Sequence, residues 1–254
     1  MARYPSAAPV HYQFGPGPAT PAVRAILILC AFIFLISLVW RESVLTWLGL
    51  IPEAVVTDFM VWQPLTYIFV HDGVFHLAFN MLGIWMFGVE LERLWGTRAF
   101  AKFFLLCGVV AGLATVAVGL LPIDAIWRER TYLGITVGSS GALYGILYAW
   151  ARTFPYRTVM MFLIFPMQAR WFVAILIAID FAIAAQSRLT SGTAHLAHFA
   201  GLLAAYIYLN RGRGGGRGGI IAELKYRYLK WKMNQLRKKF DVHEGGKPPK
   251  PWVH

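Results

Sequence analysis

Six stretches of this chain are nearly free of charge, and three of them hold polar side chains that a hydrocarbon-facing helix carries only at a cost. The stretches are residues 25–40, 74–88, 103–121, 140–150, 171–185 and 193–209. Each reads as a membrane helix, although all six runs are shorter than the ~20 residues that a full crossing takes, the first being marginal and the fourth the shortest. The second stretch contains His76 and Asn80, the fourth opens on Ser140, and the sixth contains His198. Composition argues against a water-soluble alternative. Hydrophobic residues make up 58% of the chain and charged residues 14%, where a soluble domain has about half and about a quarter. The fold class that follows is an all-α, multi-pass integral membrane protein with six transmembrane helices.

Charge sets the expected orientation. Residues 211–254 carry twelve of the 24 Lys and Arg and three of the 12 Asp and Glu, so +9 of the formal +12 belongs to this tail. With six spans the termini share a side. That side has Arg3, Arg24, Arg93, Arg98, Lys102, Arg152, Arg157, Arg170 and the twelve of the tail, 20 in all. The other side has four: Arg41, Arg128, Arg130 and Arg188. The positive-inside rule makes both termini cytoplasmic, and a bacterial inner membrane is the expected location. Beside a membrane domain, a basic tail points to anionic lipid as partner and away from nucleic acid.

The chain divides into four parts. Residues 1–22, rich in Pro, Ala and Gly, read as a disordered tail, and 23–210 as the six-helix domain. Residues 211–219 read as a flexible Gly/Arg linker, and 220–254 as a basic amphipathic tail. In that tail Ala222, Tyr226, Leu229, Met233, Leu236 and Phe240 form one apolar helical stripe. It suggests a cytoplasmic helix lying on the inner leaflet. No small-residue cleavage site follows residues 25–40, so that run is expected to be a retained span. Between residues 41 and 70, Glu42, Glu53 and Asp58 alternate with Trp- and Pro-containing apolar runs, as in an interfacial loop. Gly108 and Gly112 on the third span have the spacing that lets helix backbones approach. Pro166 interrupts an apolar run at 157–169. Cys30 and Cys107 read as small core residues.

The polar residues fall at one depth. With the N-terminus inside, every even-numbered helix enters from the outer face. His76 and Asn80, Ser140 and His198 then all lie in entering turns. From Ser140 to Arg152 the fourth helix measures roughly 20 Å at about 1.5 Å per residue, against a hydrocarbon core of about 30 Å. Ser140 therefore starts well below the outer surface, and the loop before it must dip in. Irregular backbone at that depth is tolerated where it lines a cavity or is buried in protein. His76 and Asn80 share one helix face. Gly141 with Gly145, and Gly201 with Ala205, give the fourth and sixth helices smooth faces that can meet closely.

These residues resemble the motifs of the rhomboid intramembrane proteases, across about residues 23–210. The matching elements are Gly138-x-Ser140-Gly141-x-x-Tyr144-Gly145 and Ala197-His198-x-x-Gly201. With them go His76-x-x-x-Asn80, Glu92-x-x-Trp95-Gly96 and Trp62-Gln63, where Gln63 stands in place of the arginine often found in the first loop. The resemblance implies a serine endopeptidase that cuts single-span membrane proteins near the outer boundary without a cofactor. It implies Ser140 as nucleophile and His198 as general base, working as a dyad. His76, Asn80 and the Ser140 backbone N–H would hold the oxyanion, and Tyr144 would pack on His198. Gly138, Gly141, Gly145 and Gly201 support the site. Asp180, in the middle of the fifth span, is the only carboxylate inside a predicted span away from its ends.

Other readings compete. Ser139 is a rival nucleophile, against which the Gly-x-Ser-Gly register selects Ser140. His71 and His195 are expected to make structural hydrogen bonds. His195-x-x-His198 could suggest a metal, but no His-Glu-x-x-His is present, and no metal is expected. A transporter would show broken helices or inverted repeats, which are not visible. The remaining alternative is an inactive rhomboid-like protein that binds transmembrane clients.

Overall fold

The computed structural model of the chain describes residues 15–122, 124–161, 165–186 and 192–214. Helix α1 (Pro21–Ser37) starts with proline at a position where the missing N–H costs nothing. Its other first-turn donors are met by a distant carboxylate. Glu92 accepts from the Ala22 and Val23 N–H groups, both at 2.9 Å, and from the Thr20 and Thr97 hydroxyls at 2.5 and 2.8 Å. Four donors let this carboxylate sit 2% exposed. Within the stretch 1–22 that reads as a tail, residues 15–22 are described and make further contacts. Trp85 Nε1 donates to the Gly17 carbonyl at 3.0 Å, and Arg93 donates to the carbonyls of Pro16 and Pro18. Residues 1–14 lie outside the described residues.

The interfacial loop is a chain of short helices: α2 (Arg41–Leu48), α3 (Pro52–Thr57) and α4 (Gln63–Thr66), then a 3-10 turn (Tyr67–Phe69). Gln63 joins them. Fully buried, it donates to the Thr46 carbonyl and accepts from the Ile51 N–H, both at 2.9 Å. Trp62 stacks on Trp47 and donates to its carbonyl at 2.8 Å.

Helix α5 (Val74–Gly83) passes through a π turn (Ile84–Gly88) into α6 (Val89–Trp95), making one 22-residue helix that outruns the predicted second span. Helix α7 (Thr97–Gly119) begins six residues before the predicted third span, as Thr97, Arg98 and Lys102 extend it beyond the apolar run. Gly108 and Gly112 on α7 receive the loop as well as a helix. A Cβ on Gly108 would strike Ile68 of the 3-10 turn, and one on Gly112 would stand 2.8 Å from Tyr67 and 3.0 Å from the Pro64 carbonyl oxygen. The loop at 122–137 contains a single helical turn, α8 (Ala125–Trp127), capped by the Asp124 side chain and continued by a π turn (Arg128–Tyr132).

Helix α9 (Ser140–Thr153) is followed by a departure from the all-α expectation. Strands β1 (Thr158–Met161) and β2 (Phe165–Gln168) pair antiparallel, with Met160 opposite Pro166. A proline that ends helical geometry is accommodated on such an edge strand. Helices α10 (Ala169–Gln186) and α11 (Gly192–Gly214) complete the described chain. One compact unit, residues 1–207, holds every element but the end of α11. In the second, 208–254, helix persists to Gly214, into the predicted Gly/Arg linker; the predicted basic tail lies outside the described residues.

Val74–Trp95, Thr97–Gly119 and Ala169–Gln186 are long and apolar enough to cross a membrane. The apolar α1 is 17 residues long, and α9 is 14. Polarity is inverted relative to a soluble protein. Gln63, His71, Asn80, Glu92, Ser139 and Asp180 are buried, while Phe32, Leu35, Phe75, Phe79, Phe181 and Leu203 face outward. An outer surface this apolar belongs in lipid, so the short α9 stands among the other helices. Its Gly141 and Gly145 pack on Ala111 and Cys107 of α7, and its Trp150 meets Phe87.

Candidate active site

The turn before α9 is held from three sides. Leu50 and Thr136 exchange backbone hydrogen bonds of 2.9 and 2.8 Å, and the Gly138 N–H donates to the Tyr67 carbonyl at 2.9 Å. Gly138 has φ +113°, a left-handed value that favours glycine, and a Cβ there would stand 2.7 Å from the His76 ring. The chain therefore passes His76 at contact distance and enters α9 with Ser139 and Ser140 side by side. The first helical bond of α9 runs from the Leu143 N–H to the Ser139 carbonyl, at 2.9 Å. The N–H groups of residues 140–142 then have no acceptor within the helix, as at every helix N-terminus.

The two serines face different partners. Ser139, fully buried, lies with its Oγ 3.2 Å from His71 Nε2 and donates to Asn80 Oδ1 at 3.2 Å. Burial, reinforced by the neighbouring His76, pushes the His71 imidazole down to about 4, so it is neutral at pH 7. Asn80 gives one amide hydrogen to the His76 carbonyl at 2.8 Å. Among the described residues its second amide hydrogen has no protein acceptor. Ser140 Oγ instead lies 2.8 Å from His198 Nε2 on α11. The Tyr144 ring, one turn along α9, stacks on the His198 ring with centroids 4.4 Å apart and planes 7° from parallel.

The approach of α11 to α9 depends on glycine. A Cβ on Gly201 would strike the Gly141 backbone, and one on Gly141 would stand 3.0 Å from the Ala197 carbonyl oxygen. With no side chain between them, two residues 58 apart in sequence meet at hydrogen-bond distance.

The structure thus brings Ser140, His198 and Tyr144 together, and sets His76 and Asn80 against the turn that carries Ser140. It adds a residue that sequence reasoning left aside. Asp180 of α10 lies with Oδ2 3.1 Å from His198 Nδ1 and Oδ1 2.7 Å from His195 Nδ1. The Tyr144 hydroxyl also interacts with this carboxylate. A signal existed, since a mid-span carboxylate needs a named partner, but helical spacing does not reveal contacts on another helix. The same three residues, Asp180, His195 and His198, offer potential metal-ligating atoms within 4.8 Å of one another. Both imidazole Nδ1 atoms are already engaged by the carboxylate.

A helical membrane protein with a serine–histidine pair at the buried start of a short central helix defines a class of fold and site. The Rhomboid domain model matches residues 58–211, and the chain belongs to the rhomboid family. Three relatives illustrate the range. The mitochondrial Rhomboid protein 1 of Saccharomyces cerevisiae is 27% identical over 140 residues, covering 55% of this chain and 38% of that protein. The rhomboid protease GlpG of Pectobacterium atrosepticum is 28% identical over 137 residues, covering 54% and 44%. The rhomboid protease GluP of Bacillus subtilis is 33% identical over 86 residues, covering 34% and 14%. The matched region is less than half the length of each of these relatives.

Proposed function

We propose that the chain is an intramembrane serine endopeptidase that cleaves single-span membrane proteins near the outer membrane boundary. The observation that carries the proposal is the 2.8 Å separation of Ser140 Oγ and His198 Nε2 at the start of α9. Ser140 attacks the scissile carbonyl while its proton passes to His198, which then protonates the leaving amine. Water resolves the acyl-enzyme by the reverse roles. The oxyanion is held by the Ser140 N–H at the positive end of α9, by Asn80 and by His76. The second amide hydrogen of Asn80, without a protein acceptor among the described residues, supports its share. Tyr144 fixes the plane of the His198 ring. Relatives named as rhomboid proteases add support. Nothing favours the client-binding alternative, since both residues of the dyad are present.

Topology and location belong to the same proposal. Six spans leave both termini cytoplasmic, in keeping with the Lys and Arg distribution. Bacterial proteins among the relatives support a bacterial inner membrane. The basic tail would rest on anionic lipid of the inner leaflet.

The test is cleavage of a single-span membrane substrate by purified protein in detergent. Wild type is expected to cut it, and Ser140→Ala and His198→Ala to lose cleavage while keeping their melting temperature. Cleavage that persists in folded Ser140→Ala would contradict the proposal.

A further inference from the structure

We infer that Asp180 is a positioning residue that orients His198 of the proposed Ser140–His198 dyad and fixes its tautomer. The inference rests on the dyad reading and goes beyond it. Its geometry is a line through one ring. Asp180 Oδ2 lies 3.1 Å from Nδ1 of His198, and Ser140 Oγ lies 2.8 Å from Nε2 of the same imidazole. An ionised carboxylate only accepts hydrogen bonds. A bond between Asp180 and His198 therefore puts the ring proton on Nδ1 and leaves Nε2 with the lone pair. That is the tautomer able to take the Ser140 proton. Among the described residues, Asp180 is the group that faces Nδ1 and so selects this tautomer.

The carboxylate is itself held. Its other oxygen lies 2.7 Å from His195 Nδ1, one turn before His198 on α11. With each oxygen directed at a different imidazole, the group cannot rotate away from His198. Asp180 is 9% exposed and His198 15%. A carboxylate in the middle of an apolar helix is costly even when paired, and it persists where it serves a site. Packing alone would be met by any aliphatic side chain at this position.

The proton transfer balances without a further reactant. As the Ser140 Oγ–C bond forms, the hydroxyl proton moves to His198 Nε2 and the carbonyl π pair moves onto oxygen. Asp180 stays ionised and faces the new imidazolium across Nδ1–H, which stabilises the charge where it arises. The proton then leaves with the amine.

The experiment uses the full chain in detergent and has two independent readouts. Cleavage kinetics are measured for wild type, Ser140→Ala, Asp180→Ala, Asp180→Asn and Asp180→Glu. In soluble serine proteases, replacing the triad aspartate by its amide costs ~10⁴ in kcat. Asp180→Ala and Asp180→Asn are expected to lose at least ~10-fold in kcat with KM nearly unchanged, and Asp180→Glu to recover part of the loss. Nitrogen-15 NMR of labelled histidine supplies the second readout, with the His198 signal identified by its loss in His198→Gln. It should report Nδ1–H in wild type and Asp180→Glu, and a tautomer mixture in Asp180→Asn. A wild-type kcat in Asp180→Ala, or an unchanged His198 tautomer in Asp180→Asn, would overturn the inference. So would cleavage abolished by a chelator and restored by zinc. Cleavage by Ser140→Ala would instead sink the dyad reading, and the NMR result would still decide the role of Asp180.

Discussion

Ser139 and Ser140 are neighbours with the same chemistry, and the difference between them lies entirely in what their hydroxyls meet. Ser139 is enclosed by His71 and Asn80, while Ser140 faces His198. Asn80 accepts from Ser139 through Oδ1 and is the proposed oxyanion donor beside Ser140. An oxyanion donor acts most strongly in the transition state, and losing one costs ~10²–10³ in kcat in a soluble serine protease. Steady-state kinetics of Asn80→Ala should therefore show a kcat loss of this order with KM little changed. A rise in KM alone would move Asn80 to substrate binding. Much of this site was legible because Ser140, His76, Asn80 and His198 are too polar for their surroundings. Asp180 was equally conspicuous, but its partners lie 15 and 18 residues away on another helix. Periodicity along α10 carries no information about them.

At the scale of elements, the meeting of α9 and α11 is what assembles the pair. Small residues at 141, 145 and 201 were readable as smooth faces, and the backbones do approach there. Gly201→Ala places a methyl against Gly141 backbone, which cannot yield as a flexible side chain can. Overpacking of this kind costs ~1–3 kcal/mol. The melting temperature in detergent should fall and cleavage should weaken, because the helices part by a fraction of the Ser140–His198 distance. Leu203→Ala, on the same helix where Leu203 is 54% exposed, should change neither by much. Equal effects of the two substitutions would contradict the close-contact account. Other elements were less legible. Short apolar runs do not distinguish helix from strand, so the β1–β2 hairpin read only as an interrupted stretch. The ordering of residues 15–22 depends on Glu92, some 70 positions away.

Across the described residues, polar groups such as Gln63, His71, Asn80 and Asp180 are buried while large apolar side chains face outward, as suits a lipid surround. The proposed orientation puts the serine on the outer side and the basic tail on the inner side, so the tail should take no part in the chemistry. Truncation after Asn210 is expected to leave a protease with its activity in detergent unchanged. The isolated 220–240 peptide should bind anionic vesicles, more weakly as salt rises. Loss of cleavage in a folded truncated protein would make the tail part of the enzyme. Salt-independent binding, or equal binding to neutral vesicles, would remove the electrostatic role.

In the proposed mechanism His198 activates Ser140 and no other hydroxyl. Reaction of the purified protein with a fluorophosphonate, followed by peptide mass spectrometry, tests it directly. The expected result is a single adduct on Ser140 in wild type and in Ser139→Ala, with none in His198→Ala. An adduct on Ser139, or undiminished labelling of Ser140 without His198, would contradict it.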